Sequence, residues 1–117
     1  MKKILIVEDD ASTSSLLKAY LIEKKLDADI AQDGLDALEK IKKSVPHLIL
    51  LDVMMPRMDG YGFIRELKKD PKMRALPVIV LTAREMMRDV FVQEGVKDFV
   101  SKPFEPDELF KIISKYL

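Results

Sequence analysis

Short apolar runs alternate with stretches of helical periodicity along this chain. The runs are ILIV (4–7), ADIA (28–31), LILL (48–51), VIVL (78–81) and DFVS (98–101). Most are rich in branched or leucine side chains over the length of a strand, and each is followed by a stretch in which apolar residues recur every three or four positions. The pattern predicts five strand–helix units in succession.

Each predicted helix carries one apolar stripe and a recognisable start or end. The stripes are Leu16, Leu17, Tyr20 and Leu21; Leu35, Leu38 and Ile41; Phe63, Ile64 and Leu67; Val90, Phe91 and optionally Met87; and Leu109, Ile112, Ile113 and Tyr116. The boundaries are Ser12 or Asp10 as the first cap, Asp33-Gly34 before the second helix, Asp59-Gly60 before the third, Gly95 after the fourth and Pro106 in the first turn of the fifth.

Strands that are apolar on both faces and alternate with helices predict a parallel sheet that is covered on both sides and joined by right-handed crossovers. This is the doubly wound α/β class. The 117 residues suit one domain, 1–117, which can bury roughly two-thirds of its unfolded surface. In such sheets ligands bind at the carboxyl ends of the strands, so the polar residues there become the candidates for function.

Composition excludes several classes of protein. The chain has no cysteine, which rules out structural disulfides, thiolate catalysis and cysteine-based zinc sites and suits a cytoplasmic location. Its N-terminus lacks the apolar core of a signal peptide, and no run approaches the length of a membrane span. With 20 basic and 20 acidic residues, the chain has no net positive charge with which to bind nucleic acid directly.

Polar residues stand at the carboxyl ends of four predicted strands. They are Glu8-Asp9-Asp10 after the first, Asp52 after the third, Thr82 after the fourth and Ser101-Lys102-Pro103 at the fifth. If the first and third strands are neighbours, as in the strand order 2-1-3-4-5, then Glu8, Asp9 and Asp52 converge. Carboxylates that close need a cation, and Mg²⁺ binds through carboxylates while leaving room for a phosphoryl group.

These parts suffice to accept a phosphoryl group. Asp52 supplies a carboxylate nucleophile, and Mg²⁺, Lys102 and Thr82 would stabilise the three equatorial oxygens of the transferred group. The hypothesis also explains why the buried run LILL (48–51) ends on a carboxylate. A covalent aspartyl phosphate must form where a metal ion and the strand ends can surround it.

The same residues carry a resemblance to a known family. The motifs are Glu8-Asp9 after ILIV, Asp52 after LILL, Pro56 with MDG (58–60), LTA (81–83), Phe99 and KPF (102–104). In this order and at these intervals they resemble the receiver domain of bacterial two-component response regulators, the CheY-like superfamily. The resemblance covers essentially the whole chain. It implies a flavodoxin-like fold, with a five-stranded parallel sheet of order 2-1-3-4-5 and five helices.

The resemblance implies a role for each residue of the site. Asp52 would be the phosphoacceptor. Asp9 would be a side-chain ligand of Mg²⁺, with Glu8 acting directly or through water, and the backbone carbonyl of Met54 would complete the protein's share of the coordination. Lys102 would pair with the phosphate.

A second group of residues would report the phosphorylated state. By the same resemblance, Thr82 would follow the phosphoryl group inward and Phe99 would change rotamer with it, while the bond from Lys102 to Pro103 would be cis. Phe99 stands where many relatives carry tyrosine, so the switch must be read through ring packing. The output would be a changed surface around the fourth helix, the fifth strand and the fifth helix.

One segment departs from the family pattern, and two residues bear on how fast the phosphoryl group is lost. The chain is about two residues shorter than expected between Thr82 and Lys102, with the loss in REMM (84–87), so the dimer geometry of relatives is not carried over. Met54 and Arg84 occupy positions that modulate loss of the phosphoryl group in this family. Their bulk would shield the site from water and predicts slow self-dephosphorylation.

The leading hypothesis is therefore a phosphorelay signalling module and not a turnover enzyme. It would accept a phosphoryl group on Asp52 from a sensor histidine kinase or a phosphotransfer protein, using Mg²⁺, and act on a downstream protein partner or a linked effector domain. It would catalyse only its own phosphorylation and dephosphorylation, as a monomer that could dimerise on phosphorylation. Whether the chain is complete or the front of a longer regulator stays open.

Two alternatives stay open at this stage. One is a Mg²⁺-dependent phosphatase of the haloacid-dehalogenase kind, which also uses a strand-end Asp. Such enzymes usually carry a second Asp two positions on, where this chain has Met54. The other is a pseudo-receiver, a binding module that never takes phosphate, against which the intact acidic pair, Asp52 and Lys102 argue.

Simpler interpretations hold for several other residues. Asp10 is expected to cap a helix. His47 is expected at a strand entrance on the edge opposite the site, which makes it a poor phosphocarrier. The loop methionines serve equally well as gap-filling groups or as an adaptable docking surface; they are Met54, Met55, Met58, Met86 and Met87. The charged runs on the helices are most simply solvated faces.

Overall fold

The computed structural model describes residues 2–52, 60–82, 88–101 and 104–117, with only the backbone described at Thr82, Arg88 and Val90. Strands and helices alternate along these residues. The strands are β1 (Lys3–Val7), β2 (Asp27–Ala31), β3 (Leu48–Asp52), β4 (Val78–Thr82) and β5 (Asp98–Ser101). The helices are α1 (Ala11–Glu23), α2 (Gly34–Lys43), α3 (Gly60–Lys69), α4 (Arg88–Gln93) and α5 (Pro106–Ser114).

The strands form a parallel sheet of order β2-β1-β3-β4-β5. The predicted fold class and strand order are therefore confirmed. β3 lies at the centre and all five of its residues are buried, which is why its sequence reads as a continuous apolar run. The strand order reverses between β1 and β3, and this is where ligands bind in doubly wound sheets.

The sheet separates two apolar clusters. Alternate residues of β3 point to opposite sides, as the period of two in a strand requires. Ile49 and Leu51 join the cluster beneath α2, α3 and α4, whereas Leu48 and Leu50 join the cluster beneath α1 and α5. Helices thus cover both faces of the sheet, as predicted.

Helix termini follow the predicted signals wherever those residues are described. Asp10 caps α1 and Asp33 caps α2, each accepting a hydrogen bond from a backbone N–H of the first turn. Pro106 opens α5. Gly95 follows α4 with φ +91°, a conformation that suits glycine at the end of a helix.

The prediction that Leu16 and Leu35 belong to the apolar stripes of their helices is wrong. Leu16 is 73% exposed and Leu35 is 41% exposed. In α1 the buried positions are Leu17 and Leu21, four residues apart, and each step along a helix turns the side chain by about 100°. Leu16 therefore faces outward beside its buried neighbour, and Leu35 does so at the start of α2.

The edge opposite the carboxyl ends of the strands holds the single histidine. The backbone N–H of Lys3 donates to His47 Nδ1 at 2.9 Å, and the backbone N–H of His47 donates to Lys3 O at 2.8 Å. These bonds join the start of β1 to the residue before β3. The predicted position of His47 at a strand entrance is confirmed. A bilayer-spanning helix is absent from the part of the chain that the structure describes.

Candidate functional site

The ends of β1 and β3 bring two carboxylates to one edge of the sheet. Val7 pairs with Leu51, and each is followed by an acidic residue, Glu8 on one strand and Asp52 on the other. The backbone N–H of Glu8 donates to Ala31 O at 3.0 Å, so the chain stays paired to the β2 side one residue beyond β1. The register of the sheet thus fixes Glu8 and Asp52 side by side.

Three acidic residues meet at this edge. Glu8, Asp9 and Asp52 each offer a carboxylate oxygen, and these oxygens lie within 4.8 Å of one another. Glu8 is 3% exposed and Asp52 is 7% exposed, whereas Asp9 is open to solvent. No other group of three potential metal-ligating side chains occurs among the described residues. The convergence expected from the sequence is therefore present.

The donor set fits a small hard cation. Mg²⁺ binds oxygens at about 2.1 Å, so opposite ligands of an octahedral ion lie roughly 4.2 Å apart. Three ligands of one ion cannot all lie opposite one another, so the carboxylate oxygens, which lie within 4.8 Å of one another, would draw closer together around a bound ion. Two unit charges at 4.8 Å repel by about 3 kcal/mol at an effective dielectric constant of about 20, so a bound cation would stabilise the cluster.

Asp10 lies next to this cluster and has a different task. Its Oδ1 accepts a hydrogen bond from the Ser12 backbone N–H at 3.0 Å, and its Oδ2 accepts one from the Thr13 hydroxyl at 2.8 Å. Both carboxylate oxygens are therefore used at the start of α1. The expectation that Asp10 is a helix cap is confirmed, and of the two proposed caps it is Asp10, not Ser12, that acts.

β4 and β5 end at the same edge. Asp52 pairs with Leu81, and Thr82 pairs with Ser101 at the last position of both strands. The backbone of Thr82 thus lies on the strand beside Asp52, one residue further along. Phe99 is half-buried and packs against the cluster that contains Val80 and Phe91. It lies on the side of the sheet covered by α4.

Some predicted positions fall outside the described residues. They are Met54, Met55, Pro56, Met58, Asp59, Ala83, Arg84, Glu85, Met86, Met87, Lys102 and Pro103, together with the side chains of Thr82 and Val90. Their roles therefore stay predictions.

A contact that the sequence gave no sign of joins β5 to the end of α5. The hydroxyl of Tyr116 donates to Asp98 Oδ2, and the Lys115 ammonium lies 3.1 Å from Asp98 Oδ1. Burial raises the pKa of Asp98, but the two hydrogen bonds outweigh it and leave that pKa below its ordinary value of 3.8. Burial and the bond to Asp98 raise the pKa of Tyr116 to about 12. The pair anchors the residue before Phe99.

This contact predicts a pH dependence of stability. A lowered pKa in the folded state means that Asp98 stabilises the fold above pH 3.8 and loses that contribution as the pH falls through the folded value. In urea unfolding, the stability difference between the parent and Asp98→Asn is therefore expected to shrink as the pH is lowered from about 5 to about 3. Asp27→Asn, at an exposed residue of β2, is the control. A difference that stays constant would contradict the assignment.

Comparison with known proteins defines the class. The fold and the acidic edge are those of a receiver-type α/β domain, and the family model for the response regulator receiver domain matches residues 4–114. The chain belongs to the response regulator receiver domain family. The acidic cluster of Glu8, Asp9 and Asp52 fits the phosphoacceptor site of that family.

Three relatives illustrate the similarity. Response regulator Rre1 from Synechocystis is 36% identical over 117 residues, which cover 97% of this chain and 51% of Rre1. The structure of the chemotaxis protein CheY4 from Vibrio cholerae matches with a TM-score of 0.93 at 28% identity, covering 100% of this chain and 99% of that one. The receiver domain of the sensor histidine kinase PA1611 from Pseudomonas aeruginosa, with a magnesium ion coordinated in its active-site cleft, matches with a TM-score of 0.89 at 30% identity, covering 98% and 96%.

The chain spans about half the length of Rre1. The matched half places it in two-component phosphorelay signalling, the function of receiver domains. The phosphatase and pseudo-receiver alternatives are not favoured by any of these relatives.

Proposed function

We propose that Asp52 of this chain accepts a phosphoryl group from the phosphohistidine of a sensor histidine kinase or phosphotransfer protein in a Mg²⁺-dependent reaction. The observation that carries the proposal is the meeting of Glu8, Asp9 and Asp52 within 4.8 Å at the ends of β1 and β3. Bound there, Mg²⁺ would neutralise the carboxylates and draw in the negatively charged phosphoryl group. Glu8, Asp9, Asp52 and the Met54 carbonyl would hold it.

The transfer itself is a substitution at phosphorus. A carboxylate oxygen of Asp52 forms the new P–O bond, and the P–N bond of the phosphohistidine breaks with its electron pair going to nitrogen. Lys102 would pair with the phosphate and the Thr82 hydroxyl would donate to one of its oxygens.

The signal would pass from the site to a neighbouring surface. Thr82 ends β4, and Phe99 lies on the adjacent strand β5 among residues that pack under α4. A shift of Thr82 towards the phosphate would free space for the Phe99 ring and change the surface of α4, β5 and α5. A downstream protein or a linked effector domain would bind that surface, and catalysis would be limited to the chain's own phosphorylation and dephosphorylation. We further propose that residues 1–117 act as one domain.

Labelling by a small phosphodonor tests the proposal. Incubation with acetyl phosphate and Mg²⁺ is expected to add one phosphoryl group to the intact mass, and replacing Mg²⁺ by EDTA is expected to prevent the addition. No labelling under either condition would favour a pseudo-receiver. Continuous release of phosphate from a small phosphomonoester would instead favour a phosphatase.

The lifetime of the product is a separate prediction. Shielding by Met54 and Arg84 should make loss of the phosphoryl group slow, and the combined change Met54→Ala with Arg84→Ala should speed it several-fold by admitting water. The decay is followed by intact mass after the phosphodonor is removed, with His47→Ala as the control at the opposite edge. Decay of the parent within seconds at neutral pH would contradict the shielding.

A further inference from the structure

A pocket of about 400 Å³ opens at the edge of the sheet opposite the acidic cluster. Its lining comes from the end of α3 and the turn that follows, the first residue of β4, the segment between α4 and β5, and the residues after α5. None of the lining residues belongs to the candidate phosphoacceptor site. We call this cavity the basic pocket.

The lining of the basic pocket is positively charged. Lys68, Arg74 and Lys97 contribute to it, and no acidic residue does among those that the structure describes. Within the same described part of the chain none of these three side chains forms an ion pair, although other lysines of α3 and of the segment after α5 do. The pocket therefore gathers three positive charges, and no carboxylate contacts any of them.

The ends of helices account for only one of these charges. Basic residues are favoured in the last turn of a helix, because the free carbonyl groups there carry partial negative charge. Lys68 lies in the last turn of α3. Arg74 and Lys97 lie beyond the ends of α3 and α4, so helix ends do not explain why they border the pocket.

Contacts on two sides hold Lys68 at the pocket. The side chain is partly buried, and its ammonium donates to the carbonyl oxygen of Arg74 at 2.9 Å. The ammonium also lies close to Gly95, where an added Cβ atom would come within 3.5 Å of it. An ammonium has three N–H donors, and the bond to Arg74 uses one. The others remain for an anion in the pocket.

The rest of the lining is largely apolar. Val78 and Val96 are buried, and Leu76, Pro77 and Tyr116 are half-buried around them. Sites for small molecules typically measure about 300–1,000 Å³ and combine an apolar lining with a few polar groups. The basic pocket has both properties. It suits a small molecule with an anionic group and an apolar body.

We propose that the basic pocket binds a phosphate monoester with an aromatic or otherwise apolar body, such as a nucleoside monophosphate. Such a phosphate carries roughly two negative charges at neutral pH, which suits three cations better than the single charge of a carboxylate. Arg74 can donate two parallel hydrogen bonds to phosphate oxygens, and Lys68 and Lys97 add ammonium donors. The body would lie against the apolar lining. This binding needs no phosphorylation of Asp52 and goes beyond the proposed function.

The basic pocket also borders the anchor of β5. Tyr116 lines the pocket, and its hydroxyl donates to Asp98, the residue before Phe99. A molecule in the pocket would therefore contact the side chain that holds the start of β5. We expect its binding to be felt at the backbone of Asp98 as well as at the lining residues.

Titration of the unphosphorylated chain with adenosine monophosphate in the presence of EDTA tests the proposal. EDTA removes divalent cations, so the acidic cluster cannot hold the phosphate through a metal ion. In nitrogen–proton correlation spectra, saturable shifts are expected at the backbone amides of Gly95, Val96 and Asp98 but not at those of Glu8 and Asp9. Adenosine, which lacks the phosphate, and inorganic phosphate, which lacks the body, should each bind about ten-fold or more weakly.

Two kinds of variant separate the charge of the pocket from its space. Arg74→Glu and Lys97→Glu each reverse a charge at an exposed lining residue and are expected to weaken binding of adenosine monophosphate about ten-fold or more. Ala75→Trp changes no charge, but it places a large side chain in the lining and should also weaken binding. Lys43→Glu, at an exposed lysine of α2 outside the lining, is the charge-matched control and should bind like the parent. Circular dichroism checks that each variant is folded.

Four results would overturn the proposal. Adenosine monophosphate could fail to bind saturably up to the low millimolar range. Lys43→Glu could weaken binding as much as Arg74→Glu, which would mean that only the general positive charge of this edge matters. Inorganic phosphate could bind as tightly as the monoester, so that the apolar lining would have no role. Shifts confined to Glu8 and Asp9 would assign the binding to the acidic edge.

Discussion

Asp52→Asn is expected to abolish phosphorylation. The substitution keeps the size and shape of the side chain. It replaces the nucleophilic carboxylate by a neutral amide, which does not attack phosphorus. The rate of labelling by acetyl phosphate with Mg²⁺ should fall by roughly 10³-fold or more, as it does when a catalytic nucleophile is lost. Intact mass measured against time gives the rate.

Metal binding supplies a second measurement on the same variant. A ligand that binds only the folded state raises stability with concentration, so Mg²⁺ should raise the midpoint of thermal unfolding of the parent. The rise should be smaller in Asp52→Asn and in Asp9→Asn, because each variant removes a charged ligand from the cluster within 4.8 Å. This result does not depend on phosphorylation.

A matched control shows whether the loss of labelling is specific to Asp52 or follows from removing any carboxylate. Asp36→Asn alters a carboxylate of α2 that accepts a hydrogen bond from the backbone N–H of Gln32 at 3.0 Å and is not part of the acidic cluster. It should label like the parent. Full labelling of Asp52→Asn, or equal loss in Asp36→Asn, would show that Asp52 is not the acceptor.

Phe63→Ala is expected to have the largest effect on stability. Phe63 is 0% exposed and belongs to the apolar cluster that includes Ile49 and Leu51 of the central strand. Removing a buried phenyl ring loses its transfer free energy and leaves a cavity, at a cost of about 3–5 kcal/mol. Because domains of this kind have about 5–15 kcal/mol of total stability, the variant should lie near the edge of folding.

Urea unfolding at neutral pH measures this loss. Lys69→Ala is the control on the same helix, since the Lys69 side chain is 66% exposed and its contact is a surface ion pair with Glu66. It should change the free energy of unfolding by no more than about 0.5 kcal/mol. A loss below about 1 kcal/mol in Phe63→Ala would mean that the cluster around α3 repacks, contrary to the close packing of protein interiors.

The strands were predictable because most of them read as short apolar runs followed by a stretch of helical period, whereas their order was implied by the resemblance to receiver domains. β3 reads as four consecutive apolar residues that end on Asp52, and a strand with both faces buried has few other interpretations. Helix rotation was less well determined. Leu16 and Leu17 are equally apolar in the sequence, and only the position of α1 on the sheet decides that Leu17 is buried and Leu16 is exposed.

The sequence was enough to predict which acidic residues form the site, but not the side-chain contacts around it. Parallel strands carry their ends to one edge, so Glu8, Asp9 and Asp52 could be grouped from the sequence alone. Long-range contacts between side chains have no such rule. The bonds of Asp98 to Tyr116 and of Tyr20 to Asp107 join residues 18 and 87 positions apart, and no local motif marks either pair.

The sheet divides the apolar interior into two clusters, and this division limits how far the effect of a core substitution spreads. Residues under α1 and α5 form a group of their own, and residues under α2, α3 and α4 form another, with the sheet between them. Substitutions in one compartment can therefore accumulate or be redesigned with little effect on the other. The central strands β1, β3 and β4 contribute alternate side chains to both clusters, so they are where a substitution must suit both sides of the sheet.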